Sequence, residues 1–145
     1  MGNRAVIAQR IDGVPREYSP AIYLHWNGGR DSVQAFLDAA KHLKLRGDDY
    51  GFARLTQIIG NFFGGGESLG ISVLSRLDAD NYDNGLYWIN GNFEIVDREF
   101  VQGAEQANYD RLEMKEYVLW CNRHVFGVEP EIVERVEKRE LREIA

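Results

Sequence analysis

The sequence predicts an α+β fold: an antiparallel β-sheet with two central helices, followed by C-terminal helices that pack a homodimer. Apolar and β-branched runs typical of strands occur in two groups, one on either side of a pair of amphipathic helical segments. Short turns join neighbouring strands within each group, and strands joined in this way are antiparallel. The last third of the chain has helical periodicity, which completes the α+β pattern.

The composition fits a single domain over residues 1–145. Of the 145 residues, 44% are apolar, which is enough to build one core. Within this domain we expect a sheet-rich part over about residues 1–102 and a helical dimerisation part over about residues 105–145. The net charge of −6 argues against a long nucleic acid as partner, because such a surface needs clustered basic charge. It does not exclude one small nucleotide held by a few arginines.

Cysteine usage and hydropathy predict a cytoplasmic protein without a metal site. Cys121 is the one cysteine, so no disulfide can form within the chain, and only three histidines could join it on zinc. The sequence has no 18-residue apolar run and no signal peptide at its start. We therefore expect no membrane partner.

Five segments rich in apolar and β-branched residues are expected to form strands. They lie at residues 4–8, 20–26, 70–77, 86–90 and 92–98. Turn chemistry at residues 12–15 predicts a hairpin between the first two strands, and Asn90-Gly91 predicts a compact hairpin between the last two. The polar loop at residues 78–85 does not have the EF-hand spacing, so we expect Asx turns there and no calcium site.

Four segments have helical periodicity. The first is expected to begin at Asp31, acting as N-cap, with Gln34 completing a capping box. The second covers residues 50–63. The third, residues 109–126, is apolar over most of its circumference and therefore needs cover on more than one side, for which a second subunit is a reasonable source. The last helix starts after Pro130.

The turn Trp26-Asn27-Gly28-Gly29, which precedes the first helix, is a candidate anion site. Free N–H groups at a helix start attract anions, and glycines allow a ligand to approach the backbone. Trp26 could stack on a base, and Arg30 could pair with a phosphate. The alternative, which the spacing alone favours, is a tight turn that joins a strand to a helix.

Two polar rows on the helices are further candidates for ligand binding. Arg54 and Asn61 share one face of the second helix, which is an ordinary solvated face unless it lines a cavity. Arg111, Lys115 and Asn122 form a polar strip on the third helix. Ion pairs with the many glutamates explain this strip as well as a phosphate clamp across a dimer does.

No enzyme motif stands out in the sequence. The Walker loop, the dinucleotide fingerprint, the Gly-x-Ser-x-Gly elbow and the His-Glu-x-x-His motif are all absent from it. His25, His42 and His124 are isolated in sequence, and Cys121 is expected to be buried. The sequence therefore predicts a non-catalytic protein.

Several segments together resemble a known family. They are Gly2-Asn3-Arg4-Ala5-Val6-Ile7, Ile22-Tyr23-Leu24-His25-Trp26-Asn27-Gly28-Gly29, Ile59-Gly60-Asn61-Phe62-Phe63-Gly64-Gly65 and Asp83-Asn84-Gly85. Over most of its length the chain resembles the phage Thoeris anti-defence family of cyclic ADP-ribose-type signal sponges. The resemblance implies a six-stranded antiparallel sheet, one strand more than we count, followed by C-terminal helices that interlock a homodimer. It also implies that a hexamer is a possible assembly.

The resemblance implies roles for individual residues. Tyr82 or Trp26 would stack on adenine, and Asn92 would hydrogen-bond the base or the ribose. Arg111 and Arg123 would approach the pyrophosphate from the partner subunit's helix.

The function implied by the resemblance is sequestration of a cyclic ADP-ribose isomer, without cleavage and without a cofactor, to suppress an anti-phage defence. Some family members also take up cyclic oligonucleotides at a separate site, for which Arg54 is the candidate here. If the chain is phage-encoded, its compartment is the cytoplasm of the host bacterium. The alternatives are a small acidic protein that blocks a host defence protein directly, and a nucleotide hydrolase with a dispersed site.

Overall fold

A five-stranded sheet and four helices make up the computed structural model, which describes residues 3–64, 69–102 and 110–144, with side chains through residue 140. The strands are β1 (Ala5–Gln9), β2 (Pro20–Leu24), β3 (Leu69–Val73), β4 (Leu86–Ile89) and β5 (Ile95–Glu99). The helices are α1 (Arg30–His42), α2 (Asp49–Phe63), α3 (Arg111–Cys121) and α4 (Pro130–Ile144). The predicted α+β class is confirmed.

The strand order in the sheet is β3-β2-β1-β4-β5. Three of the neighbouring pairs are antiparallel, as expected, but β1 and β4 run parallel. The expectation of a wholly antiparallel sheet is therefore wrong for this pair. A short turn forces two strands to run in opposite directions, whereas the chain between β1 and β4 includes both central helices and can return in either direction.

The central strands β1, β2 and β4 are buried on both faces of the sheet. Ile7, Ile22 and Tyr87 point toward the helices and join the main core. Val6 and Trp88 point to the opposite face and belong to a smaller cluster there. This double burial explains why these strands appear in the sequence as apolar runs and not as alternating patterns.

The helices form layers on one face of the sheet. The expected apolar stripe of α1 is buried, including Val33, Phe36 and Leu37. The third helix, α3, contacts α1, α2 and α4 of its own chain. These contacts cover much of its apolar surface within one subunit, while Leu112 remains exposed, and the homodimer expected at this helix stays a prediction.

Two helix boundaries differ from the expectations. Gly29, not Asp31, is the N-cap of α1, and the Asp31 carboxylate accepts from the N–H of Ser32 within the first turn. The third helix ends at Cys121 instead of residue 126. The side chain of the next residue, Asn122, donates to the carbonyls of Ile58 and Val118 and competes with the helical backbone. Residue 109, where this helix was expected to begin, lies outside the described residues.

The strand boundaries also differ in three places. The second strand ends at Leu24 instead of Trp26, and the third ends at Val73 because a 3₁₀ turn covers residues 74–76. The last strand begins at Ile95 instead of residue 92. The carboxamide oxygen of Asn90 accepts from the N–H groups of Asn92 and Glu94, which makes the turn longer than a compact Asn-Gly hairpin.

Candidate functional site

The Trp26-Asn27-Gly28-Gly29 turn is held tightly against the sheet. The N–H of Gly28 donates to the carbonyl of Asn3 at 2.8 Å, and its carbonyl accepts from the Tyr87 hydroxyl at 2.7 Å. A Cβ at Gly28 would lie 2.5 Å from the Asn3 oxygen, so no larger residue fits there. Trp26 remains 43% exposed, with its ring edge-to-face against His25. The geometry agrees with a structural turn that presents one tryptophan at the surface.

Tyr82 and Asn92 lie at opposite ends of the sheet. Tyr82 precedes β4 and Asn92 follows it, so the full length of that strand separates them. Tyr82 is 75% exposed, while Asn92 is an exposed residue of the β4–β5 turn. The two residues do not converge on one base within a subunit.

The loop that carries Tyr82 is built from Asx turns, as the sequence predicts. The side chain of Asn81 is fully buried and accepts from the N–H groups of Asp83 and Gly85. Arg4 donates from Nε to Asp83 at 2.8 Å. Burial raises the pKa of Asp83, but the hydrogen bonds from Arg4 outweigh this effect and the pKa is lowered. These contacts fix the loop on which Tyr82 is displayed.

The two candidates on α2 have different roles. Asn61 donates to the Asn122 carboxamide oxygen at 2.7 Å and so joins α2 to the end of α3. Arg54 is exposed and makes no ion pair with any side chain of the described residues. They therefore do not form one ligand-facing row.

Arg123 is stacked on its own helix end. Its guanidinium carbon lies 3.9 Å from the Trp120 ring centroid, and Nη1 donates to the Trp120 carbonyl at 2.9 Å. Arg111 lies at the other end of α3, roughly 15 Å or more away along the helix axis. One subunit cannot bring both arginines to the same pyrophosphate.

Arg111 and Lys115 line a groove between α1 and α3, which we call the basic groove. Its volume is about 580 Å³. Its lining residues are Asp38, Lys41, His42, Arg111, Leu112 and Lys115. The α1 residues lie at positions i, i+3 and i+4 and therefore share one helical face.

Positive charge dominates the basic groove. Lys41, Arg111 and Lys115 face a single lining carboxylate, that of Asp38. Arg111 binds this carboxylate in a bidentate manner, at 2.5 Å from Nε and 2.7 Å from Nη2, and the hydrogen bond raises the pKa of Arg111. The lysines make no ion pair with any side chain of the described residues. The sequence left ion pairing and phosphate binding open for Arg111, and the structure shows an ion pair with an aspartate of α1.

His42 adds an imidazole side chain to the basic groove. Its Nε2 lies 2.7 Å from the Glu129 carboxylate, and this hydrogen bond lowers the pKa of Glu129. Sequence reasoning did not select Lys41 or His42. The signal was present, since Asp38, Lys41 and His42 follow helical spacing on the polar side of α1.

A second cleft, which we call the acidic cleft, lies against the opposite face of α3. It measures about 500 Å³ and is lined by Asn27, Phe62, Asp110, Glu113, Met114, Tyr117, Val136, Arg139 and Glu140. Its charged lining has three carboxylates and one guanidinium, which disfavours a phosphate. Asn27 therefore lies in a different cleft from Arg111 and Lys115, with α3 between them.

Arg30 lies in the first turn of α1 and is exposed. It is not among the residues that line either cleft. Together with Trp26, Tyr82 and Asn92, it is a predicted site residue that the fold places outside both clefts.

Comparison with known proteins adds no family. No protein-family model matches the chain. Neither the curated proteins nor the solved structures include a significant match. Among residues 3–64, 69–102 and 110–144, no helix is long and apolar enough to cross a membrane, and no three histidine, cysteine or acidic side chains are grouped to hold a metal.

Proposed function

We propose that the protein binds a small phosphorylated nucleotide in the basic groove and holds it without cleavage. The observation that carries this proposal is the grouping of Lys41, Arg111 and Lys115 along one groove of a chain whose net charge is −6. Local cationic charge in an acidic protein attracts a small anion while the rest of the surface repels long polyanions. The resemblance to the Thoeris sponges supplies the ligand class, a cyclic ADP-ribose isomer, with cyclic oligonucleotides as a second class.

The groove combines a hydrogen-bond donor held in place, Arg111, with two flexible lysine donors. Arg111 uses Nε and Nη2 on Asp38, which leaves other N–H groups of the same guanidinium for a phosphate oxygen. Lys41 and Lys115 reach from opposite helices on long side chains, so they can follow the position of a second phosphate. Asp38 thereby orients an anion-binding group without neutralising the whole groove.

The base half of the ligand needs a different surface. Leu112 is the exposed apolar residue of the groove lining, and the lining includes no phenylalanine, tyrosine or tryptophan. The stacking aromatics that the resemblance implies would then come from a partner subunit, in a homodimer or a hexamer. Tyr82 and Trp26 are exposed aromatic residues that suit this role.

Two features support binding without turnover. The residues that line the groove include no serine, threonine or cysteine that could act as a nucleophile, and Asp38, its one carboxylate, is bound by Arg111. Burial raises the pKa of the Cys121 thiol, which lowers its reactivity.

The test is calorimetry with cyclic ADP-ribose isomers on the wild type and on Lys115→Glu. We expect the variant to weaken binding about tenfold or more, because it replaces a cation of the groove by an anion. Arg76→Glu is the matched control, since it makes the same charge change on an exposed residue outside the groove. Equal loss of affinity in both variants would contradict the groove as the site.

The chemical fate of the ligand decides between sequestration and catalysis. Heating the complex should release the ligand unchanged, as measured by mass spectrometry. A hydrolysed product would reject the sponge and select the hydrolase. Capture of a host defence protein by a chain that binds no nucleotide would select the direct blocker.

A further inference from the structure

The edge strand β3 has one side that no strand of the described sheet covers. The N–H of Leu74 donates to the carbonyl of Ser19 at 2.8 Å, which extends the β2–β3 ladder by one residue pair. In an antiparallel ladder, opposed residues alternate between pairs that exchange hydrogen bonds and pairs that do not. The even-numbered residues of β3 therefore face β2, and its odd-numbered residues direct their N–H and C=O groups outward.

The hydrogen bonds between β1 and β4 give the same assignment of inward and outward residues on β3. The N–H groups of Val6 and Arg10 donate to carbonyls on the β4 side, so even-numbered residues of β1 face β4 and odd-numbered ones face β2. Ile7 is paired with Ile22, so even-numbered residues of β2 face β1 and its odd-numbered residues face β3. Ala21, which is odd-numbered, is paired with Ser72 of β3. Even-numbered residues of β3 again face β2. The outward backbone groups thus belong to Leu69, Ile71 and Val73.

Among residues 69–73 themselves, this outward edge lacks the charges and prolines that usually protect an edge strand against pairing. The strand Leu-Gly-Ile-Ser-Val contains no charged residue and no proline, and Ile71 at its centre is 61% exposed. Natural edge strands are commonly blocked by charges, prolines or bulges. The opposite edge of this sheet, β5, does carry consecutive charges at Asp97, Arg98 and Glu99. The two edges of one sheet therefore differ in how open they are to a further strand.

The sequence of β3 complements itself. When two copies pair antiparallel about Ile71, that residue faces its own copy, and Leu69 faces the partner subunit's Val73. Gly70 then faces the partner subunit's Ser72, so small residues are opposed on the other face. Each of these pairs matches apolar with apolar or small with small, as stable cross-strand pairs do.

We propose that the open edge of β3 pairs with β3 of a second copy of this chain, on a two-fold axis through Ile71. Three outward residues on each chain would exchange about six backbone hydrogen bonds and join two sheets into one. A second copy is favoured over an unrelated peptide because the strand matches its own pattern in this register, and a symmetric interface uses the same patch twice. The proposal is independent of the nucleotide-binding function.

A strand pair of this length buries less surface than a stable interface requires. We therefore expect a reversible dimer that forms at roughly 10–100 μM. Sedimentation equilibrium over a concentration series measures it. A wild-type chain that remains monomeric near about 1 mM would overturn the proposal.

Ile71→Lys tests the interface directly. It places two like charges opposite each other on the axis, and we expect dimerisation to weaken about tenfold or more. The exposed position allows the monomer to fold, which circular dichroism would verify. Val96→Lys, on an exposed residue of β5, is the matched control and should leave the dimer unchanged. A reversible association in the range of roughly 10–100 μM that Ile71→Lys leaves unchanged would reject the proposal.

Cross-linking gives a second, independent test. Directly opposed residues of a hydrogen-bonded antiparallel pair have Cα atoms about 5.5 Å apart, which is within the range of a disulfide. In a Cys121→Ser background, we expect Ile71→Cys to form a covalent dimer under mild oxidation, and Val96→Cys to remain monomeric. Equal cross-linking of both cysteines, or none at residue 71, would contradict the proposed axis.

Discussion

Gly28 lies where the chain leaves β2 and passes the start of β1. The absence of a Cβ lets its backbone bond to Asn3 and to the Tyr87 hydroxyl at the same time. These bonds set the entry into α1, because Gly29, the next residue, is the N-cap of that helix. The turn thus helps to position α1, which forms one wall of the basic groove.

Gly28→Ala should destabilise the fold by about 2–4 kcal/mol. The added Cβ would lie 2.5 Å from the Asn3 oxygen and 2.7 Å from the Ala5 Cβ, and the backbone and the short side chain there have little freedom to yield. Urea unfolding measures the change. Gly127→Ala is the control, because nothing lies within 4 Å of its added Cβ. Similar stability of both variants would show that the turn is less tightly packed than the structure indicates.

At the scale of the elements, a buried carboxylate joins α3 to α4. Glu116 is 5% exposed and accepts from Arg135 Nη2 at 2.5 Å and from Arg139 Nη2 at 2.9 Å. The hydrogen bond from Arg135, opposed by burial and supported by Arg139, lowers the pKa of Glu116. This network holds together two helices that both line the acidic cleft.

The lowered pKa predicts a loss of stability in acid. A carboxylate whose pKa is depressed by folding stabilises the fold above its ordinary value of 4.5, and this contribution disappears as the pH falls through the folded pKa. Glu116→Gln should cost about 1–3 kcal/mol at pH 7 and flatten the dependence of stability on pH below about 4.5. Urea unfolding at several pH values measures both effects.

Glu134→Gln serves as the control for this acid effect. Its side chain is exposed and pairs with Lys138 four residues later, so Glu134→Gln should change stability far less than Glu116→Gln does. An equal loss of unfolding free energy in the two variants would contradict a special contribution of Glu116 to the packing of α3 on α4.

At the scale of the whole molecule, charge is divided between the two sides of α3. The basic groove lies on one side and the acidic cleft on the other, in a chain of net charge −6. This division separates a cationic surface from an anionic one. Under the proposed function, it would direct a small phosphorylated ligand to one face of an acidic protein.

The charge division predicts that salt weakens nucleotide binding without a matching loss of fold stability. Raising the ionic strength from about 0.01 M to 0.15 M shortens the Debye length from roughly 30 Å to 8 Å and screens the groove. Calorimetry with a cyclic ADP-ribose isomer at several salt concentrations, beside thermal unfolding of the free protein, measures both quantities. An affinity that is independent of salt would show that the cations of the groove do not hold the phosphates.

The sequence by itself determined the α+β class, the apolar stripes of the first helices and the Asx turns of the 78–85 loop. These features follow from periodicity and turn chemistry, which act over a few neighbouring residues. It also pointed to Arg111 and Lys115, because their spacing places them near one another on a helix. Lys41 and His42 could be placed beside them only after α1 was known to pack on α3.

Only the tertiary structure decided the parallel pairing of β1 with β4, the ion pair of Arg111 with Asp38 and the separation of Tyr82 from Asn92. Each depends on contacts between segments far apart in the chain, and no local pattern encodes their direction or distance. The sequence likewise predicted a second subunit at the apolar helix. The structure shows that α1, α2 and α4 contact this helix within one chain, and the second subunit stays a prediction. The open edge of β3 also depended on the tertiary structure, because an edge strand can be identified only when the strand order is known.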